Sequence, residues 1–328
     1  MHFCIVGCGK IALTHAAVLT KFSRFIPDQP VRLSFASRDQ SKASEYRSRF
    51  GAELALSSYE EAFYHKEIDA IVLCTPNNSH RELAIAALEQ GKGVIIEKPI
   101  ACTIAEADEI LATAKRTGRH VLVAENHHYR PNVMALEQIV RSGTLGVMKL
   151  IRINVLRHHQ FKENEWRSKL DCMGGGILID AGIHWVNVLM TLGQGFPVAI
   201  NAYQPLATNQ SKSQEDSIVI TCQFGNGAVG IITYSWGVRG AIPMSFFSVH
   251  GSSGSVYSSN AGRFGFLNRR FIRPLLFSFR DWQGYEAMWQ DFLRGLASGN
   301  SDRCLMTGEI GRRDLAFVEQ AYRSVTKN

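Results

Sequence analysis

The chain has no CxxC pair and no set of histidines and cysteines at metal-ligand spacing, although its 328 residues include seven cysteines: Cys4, Cys8, Cys74, Cys102, Cys172, Cys222 and Cys304. That argues against a structural zinc site and against a disulfide framework, and no bound metal is expected. The cysteines read instead as small core residues in a reducing compartment. The apolar start Phe3–Val6 has neither a basic leader nor a cleavage site and runs straight into glycines, so it reads as a buried strand rather than a signal peptide. No run approaches the roughly 20 apolar residues of a membrane span, and neither a repeat nor a low-complexity tract is visible. A cytoplasmic protein without a membrane partner is the expectation. The net charge of +7 is carried by scattered Lys and Arg that are not interleaved with aromatics, which excludes a nucleic-acid reader and leaves a basic surface suited to anionic small molecules.

What is present is ample apolar material, 45% of residues, in a chain long enough for two domains. The first part alternates apolar, β-branched runs (FCIVGCG, VRLSFAS, DAIVLCTP, GVIIEKP, HVLVAEN) with amphipathic helical stretches. Continuous apolar strands separated by helices predict an α/β domain with a doubly wound parallel sheet, a Rossmann arrangement, over residues 1–125. The remainder, 126–328, reads as an α+β domain for substrate binding and oligomerisation. Its largely antiparallel, open-faced sheet is expected from Ile151–Leu156, Ser217–Phe224, Ala228–Trp236 and Ser245–His250, with terminal helices at Tyr285–Leu296 and Arg312–Val325. Turn signals fall at Phe224–Gly227 and Gly251–Gly254.

Gly7, Gly9 and Ala12 form GxGxxA directly after the first strand and at the opening of a helix. The first glycine permits the tight turn, the second admits a pyrophosphate to the backbone, and the alanine lets helix and strand approach. Lys10 and Ile11 lie in the same loop and belong to the expected cofactor set. The second strand ends Ala36, Ser37, Arg38, where an acid would accept from the ribose hydroxyls of NAD. A hydroxyl and a guanidinium suit the 2′-phosphate of NADP, with Lys42 as helper. NADP is therefore the preferred cofactor, with NAD the alternative if Asp39 turns toward the ribose.

Three further segments belong together: CTPNNSH at Cys74–His80, EKPI at Glu97–Ile100 and GGGILIDAGIHWVN at Gly174–Asn187. Thr75, Pro76, Asn77 and His80 lie where a parallel strand turns into a helix, at the edge where such a sheet holds its ligand; capping of the following helix is the other reading of these residues. Glu97 and Lys98 end another strand at that edge, where a Lys can donate to an oxygen undergoing oxidation or reduction. Asp180 and His184 stand four apart on the helix after the glycine run and so share a face. An imidazole there can accept a hydroxyl proton while the carboxylate steadies it.

In the order and spacing of GxGxxA, TPxxxH, EKP and GGGxLxDxGxH the chain resembles the Gfo/Idh/MocA oxidoreductases. The resemblance implies cofactor contacts at Thr75–His80, a place near the nicotinamide ribose for Glu97, and a catalytic set of Lys98, Asp180 and His184 acting on a sugar, a cyclitol or a sugar derivative. Many relatives carry Asp three residues after the catalytic His, where this chain has Asn187, which puts the tuning of His184 and a substrate contact in question. Asn126, His127 and His128 either reach the substrate or cover the domain junction. Trp166 and Arg167 either close over substrate or form a surface loop. Two rival functions remain: a reductase of a non-sugar substrate, similar to dihydrodiol dehydrogenase or biliverdin reductase, and a non-catalytic dinucleotide-sensing regulator. The strand with Val229, Ile231, Thr233 and Ser235 on one face and Ile232, Tyr234 and Trp236 on the other predicts a homodimer or homotetramer through the sheet.

Overall fold

The structure, a computed structural model, describes residues 1–25, 31–159, 161, 165–206, 215–238 and 246–325. The chain forms two compact units, 1–125 with 285–312, and 126–284 with 313–328. The expected second domain, 126–328, is thus interrupted: 285–312 belongs to the first unit.

The first unit runs β1 (His2–Val6), α1 (Lys10–Phe25), β2 (Arg32–Ala36), α2 (Gln40–Phe50), β3 (Leu54–Leu56), α3 (Tyr59–Tyr64), β4 (Ala70–Leu73), α4 (His80–Glu89), β5 (Gly93–Glu97), α5 (Ile104–Thr117) and β6 (Val121–Ala124). Its strands pair in the order β3-β2-β1-β4-β5-β6, every pair parallel. The order reverses between β1 and β4, and a doubly wound sheet opens its ligand crevice at that reversal, beyond the carboxyl ends of the strands. Every residue of β1, β4, β5 and β6 is buried, the consequence of covering both faces with helices. Helix ends are set locally, as in α5, where Thr103 and Glu106 form a reciprocal capping box and Gly118 closes the last turn at φ 64°.

Helix α9 (Tyr285–Ala297) completes this unit. Trp289 is fully buried and meets Phe3 of β1 edge-to-face at 5.6 Å, and Phe292 is fully buried beside it. Each such side chain contributes about 1.5–3 kcal/mol by burial, enough to hold α9 on this sheet rather than with its sequence neighbours.

The second unit contains α6 (Pro131–Arg141), β7 (Met148–Leu156), α7 (Leu170–Met173), α8 (Ile183–Gly193) and β8 (Ala199–Tyr203). These are followed by β9 (Ser217–Gln223), β10 (Val229–Ser235), β11 (Phe246–Gly251), β12 (Gly254–Ser259), β13 (Phe264–Asn268) and β14 (Ile272–Leu276). Helix α10 (Gly308–Val325) starts in the first unit and belongs to the second from Arg313. The sheet order is β14-β13-β12-β11-β7-β10-β9-β8, antiparallel except for the parallel pair β7 and β10. Helix α8 packs on β7 and β10, so Ile232 and Tyr234 are buried while Ile231 and Thr233 on the other face are only half-buried.

Strands β8, β12, β13 and β14 go beyond the four that the sequence pattern predicts. β8 and β14 are edges: one residue of β8 is buried and none of β14, whose interior holds Pro274. Such strands carry little of the apolar alternation that betrays a half-buried one. Ser245, the expected start of β11, lies outside the described residues. One stretch, Leu170–Gly193, is apolar and long enough by composition to cross a membrane, contrary to the expectation of no such run; 78% of its apolar window is buried, the mark of a core segment.

Candidate active site

The loop between β1 and α1 is built from the two glycines. Gly7 has φ 96°, and a Cβ there would lie 2.8 Å from the Cys74 carbonyl oxygen of the neighbouring strand β4, so only glycine fits. A Cβ on Gly9 would meet no atom within 4 Å, which leaves open space above the backbone at the sheet's reversal point. Ala12 is fully buried, and Tyr46 of α2 donates its hydroxyl to the Gly9 carbonyl at 3.2 Å, pinning the loop. The first turn of α1 has no acid, and Lys10 is exposed there. A helix N-terminus, open space and no negative charge suit a pyrophosphate.

At the end of β2 the two residues expected to read a 2′-phosphate differ. Ser37 is buried, and its Oγ accepts the Asp39 N–H at 3.1 Å. Arg38 is exposed. The Asp39 carboxylate caps α2, accepting the Ser41 N–H at 3.1 Å and the Ser41 hydroxyl, with Lys42 at 3.8 Å.

Beyond β4, Thr75 and Asn77 are buried, and the Ser79 hydroxyl lies 2.8 Å from Thr75 Oγ1 and 2.7 Å from the Pro76 carbonyl instead of capping α4. His80 has no exposed surface. Its Nδ1 faces the Pro99 carbonyl at 2.8 Å and its Nε2 the Thr75 carbonyl at 3.0 Å, so it clamps the β4 and β5 edge turns together. Burial holds its pKa below the ordinary imidazole value despite the two carbonyls; a neutral ring donates to only one of them. Glu97 is the last residue of β5, Lys98 follows it half-exposed, and the Lys98–Pro99 peptide is cis. Glu97 Oε1 lies 2.7 Å from His15 Nε2 of α1, and its Oε2 accepts the Lys98 N–H at 3.2 Å. Gly7, Gly9, Thr75, Asn77, His80, Glu97 and Lys98 therefore share the carboxyl edge of one sheet.

In the second unit the glycine run is shaped by residues that sequence reasoning missed. Glu215, immediately before β9, is buried; its carbonyl accepts the Ile177 N–H at 3.2 Å and its Oε1 the Leu178 N–H at 3.0 Å. The Tyr322 hydroxyl of α10 donates to the same Oε1 and lies 3.3 Å from the Gly176 nitrogen. A side chain on Gly176 would collide with the Glu215 carboxylate, which is why the run must be glycine there. Burial raises the Glu215 pKa, and burial beside Glu215 raises that of Tyr322. No local pattern links residues 176, 215 and 322; the acidic pair Glu215 and Asp216 ahead of the apolar run SIVIT was the only available signal.

Asp180 and His184 do not stand on one uniform α-helix. Residues 178–182 form a π-helical turn, and α8 starts at Ile183. One wide turn of this kind re-aims the side chains around it and is common at functional sites. Asp180 is buried and accepts from Arg167 Nε at 3.1 Å, while the Arg167 guanidinium stacks 4.4 Å over Trp166. Behind Asp180, Trp236 donates to the buried Tyr234 hydroxyl at 2.9 Å, and Arg157 lies 4.5 Å over the Trp236 ring; burial pushes the Tyr234 pKa up to about 12. His184 is half-buried, its ring 4.1 Å from that of His127, which in turn lies against Trp185 at 5.2 Å.

Two residues expected near substrate have structural partners. The Asn126 amide donates to the Gln283 carbonyl at 2.8 Å. Asn187 has no exposed surface and donates to Asp314 Oδ2 at 2.7 Å, tying α8 to α10. The second unit thus pairs Asp180 with Arg167, itself stacked on Trp166, sets His184 against His127, and leaves Asn187 in the core.

The chain is similar to known proteins over most of its length. The chain is 26% identical over 280 residues to a levoglucosan dehydrogenase of Pseudarthrobacter phenanthrenivorans, covering 77% of this chain and 72% of that one. It is 23% identical to a myo-inositol 2-dehydrogenase of Thermotoga maritima, over 99% of this chain and 96% of the other. A solved levoglucosan dehydrogenase in complex with NADH and levoglucosan superposes with a TM-score of 0.88 at 23% identity, covering 100% of this chain and 97% of that one. Residues 1–125 match the NAD-binding Rossmann fold of the Gfo/Idh/MocA oxidoreductases and residues 133–257 that family's C-terminal domain, so the chain belongs to the Gfo/Idh/MocA oxidoreductase family.

Proposed function

We propose that this NAD(P)-dependent oxidoreductase transfers a hydride between NADP, in preference to NAD, and a carbinol or carbonyl carbon of a sugar, cyclitol or sugar derivative. The observation that carries the reading is the open space over Gly9 at the reversal point of the sheet, with Lys98 standing on the same edge. The substrates for which the relatives are named, levoglucosan and myo-inositol, support a polyhydroxylated substrate.

The dinucleotide, when bound, supplies the hydride acceptor or donor. The chain's residues handle the proton and the charge on oxygen. In oxidation, His184 takes the hydroxyl proton as the carbinol carbon gives up its hydride and the C–O bond becomes a carbonyl. Lys98 donates to that oxygen and stabilises the charge developing on it. Asp180, oriented by Arg167, steadies the imidazolium or accepts from a second substrate hydroxyl. In reduction the same groups return the proton.

Preference for NADP rests on Arg38, which is exposed at the end of β2, and on Asp39, whose carboxylate is occupied in capping α2 rather than free to accept from a ribose. The NADH held by the solved relative favours the opposite preference. Titration of the protein with NADPH and NADH, followed by a polyol and aldose panel with the tighter cofactor, tests both halves. Tighter NADH binding overturns the phosphate reading, and absence of turnover on the whole panel overturns the substrate class. We also assign the protein to the cytoplasm, in keeping with its seven cysteines, none of them in a disulfide, and to a homodimer or homotetramer through the open face of the second unit's sheet.

A further inference from the structure

Behind Lys98 lies a buried chain of polar groups that the proposed chemistry does not use. Trp289 of α9 donates its indole N–H to His15 Nδ1 at 2.9 Å, and His15 Nε2 lies 2.7 Å from Glu97 Oε1. Trp289 and His15 have no exposed surface and Glu97 is 8% exposed.

The partners fix the proton. An indole nitrogen only donates, so His15 Nδ1 is an acceptor and carries no hydrogen. The neutral imidazole then has its one N–H on Nε2, aimed at the carboxylate. Glu97 is thereby held at both oxygens, by His15 on one side and by the Lys98 N–H on the other. The contact is a hydrogen bond from a neutral ring, so it leaves the carboxylate its full charge. An imidazolium would cancel that charge, but a second N–H, on Nδ1, would point at the Trp289 N–H. The other titratable groups facing this cluster are Tyr285, edge-on to His15 at 5.7 Å, and Cys74, His80, Glu125 and Lys98 at the strand ends. Burial and the charge of Glu97 keep the Tyr285 phenol and the Cys74 thiol protonated.

We propose that His15 and Trp289 are positioning residues of the active site: Trp289 locks His15 as the Nε2–H tautomer, and His15 holds Glu97 as a fully charged carboxylate that fixes the Lys98 backbone. The link ties Lys98 to α1, the helix that opens at the cofactor loop. It rests on the proposed role of Lys98 in hydride transfer, whereas its first test needs neither cofactor nor substrate.

In that test, nitrogen-15 NMR of the histidine-labelled full-length protein, with the His15 signals assigned from the His15→Gln spectrum, reads the tautomer directly. The expected result is unprotonated Nδ1 and protonated Nε2; an Nδ1–H tautomer or an imidazolium overturns the proposal. Cofactor affinity and turnover form the second arm. His15→Gln keeps an amide N–H for Glu97 and stays within about threefold of the parent in NADP affinity and kcat, while His15→Leu, of similar bulk, loses about tenfold or more in kcat. Trp289→Phe removes the donor that fixes Nδ1 as an acceptor, so its spectrum should show a population of Nδ1–H rings that the parent lacks. Equal kcat in the parent and His15→Leu overturns the positioning role. A protein with no sugar turnover but the expected tautomer refutes the proposed substrate and leaves the lock standing.

Discussion

The Tyr322 hydroxyl donates to Glu215 Oε1 at 2.6 Å, and through Glu215 a phenol on α10 seats the turn that carries Asp180. Tyr322→Phe removes the donor from a buried carboxylate and an acceptor from the Gly176 N–H, and a loss of about 1–3 kcal/mol in urea unfolding is expected. The pKa of Glu215 is raised in the folded protein by burial. Its contribution to stability is therefore complete below the unfolded value of 4.5 and is lost as pH rises through the folded value. Glu215→Gln keeps the acceptor oxygen and should flatten that decline; an unchanged slope would show that the carboxylate is not strained by burial.

Arg167 forms an ion pair with the buried Asp180, and it is held in place by stacking on Trp166. Arg167→Ala is expected to lower kcat by about 10–100-fold, as loss of an orienting partner does at other sites, with cofactor Kd unchanged. Arg167→Lys should not restore activity, because a point charge lacks the planar stack. Full rescue by Lys would reduce the role of Arg167 to charge alone.

Lys98→Ala and His184→Ala should each cut turnover by about 10²–10⁴-fold while NADP affinity stays within a few-fold of the parent, measured by nicotinamide fluorescence and steady-state rates. Full activity in either variant rules out the mechanism proposed above.

His80 clamps the turns after β4 and β5, so His80→Ala is expected to cost about 1–3 kcal/mol in denaturant unfolding. Burial lowers its folded pKa below 6.5, which means its stabilising contribution is present above 6.5 and lost as pH falls toward the folded value. His2, His120, His159 and His250 shift in the same direction, so His80→Ala should reduce the acid-side slope of stability without abolishing it.

On the open face of the sheet, Ile231 of β10 is half-buried and Tyr257 of β12 is exposed. Light scattering at micromolar concentration should give a mass of two or four times 36.5 kDa, and Ile231→Lys should return a folded monomer. A monomeric parent protein refutes the interface.

The first unit was largely legible because its order is local. Apolar runs such as Ala70–Leu73 alternate with helices, and the glycines that shape the cofactor loop stand one and three residues beyond the strand they terminate. The placement of α9 was not legible, since Trp289 finds Phe3 and His15 across more than 270 residues of sequence. The spacing of Asp180 and His184 suggested one helical face, but the π turn at 178–182 depends on Glu215 and Tyr322, whose distance along the chain hides them. Asn187 read as a lost charge beside His184, while its amide serves the packing of α8 against Asp314. In each case the missing information was a tertiary partner, which no periodicity encodes.

The return of α9 to the first sheet also orders events during synthesis. At about 5–20 residues per second, roughly ten to thirty seconds separate translation of the last strand of that sheet from translation of Trp289. Through that interval the nascent chain carries Phe3 and His15 without the indole that covers one and bonds the other. The half begun first is thus finished late, its first strand lacking part of its cover until most of the chain has been made.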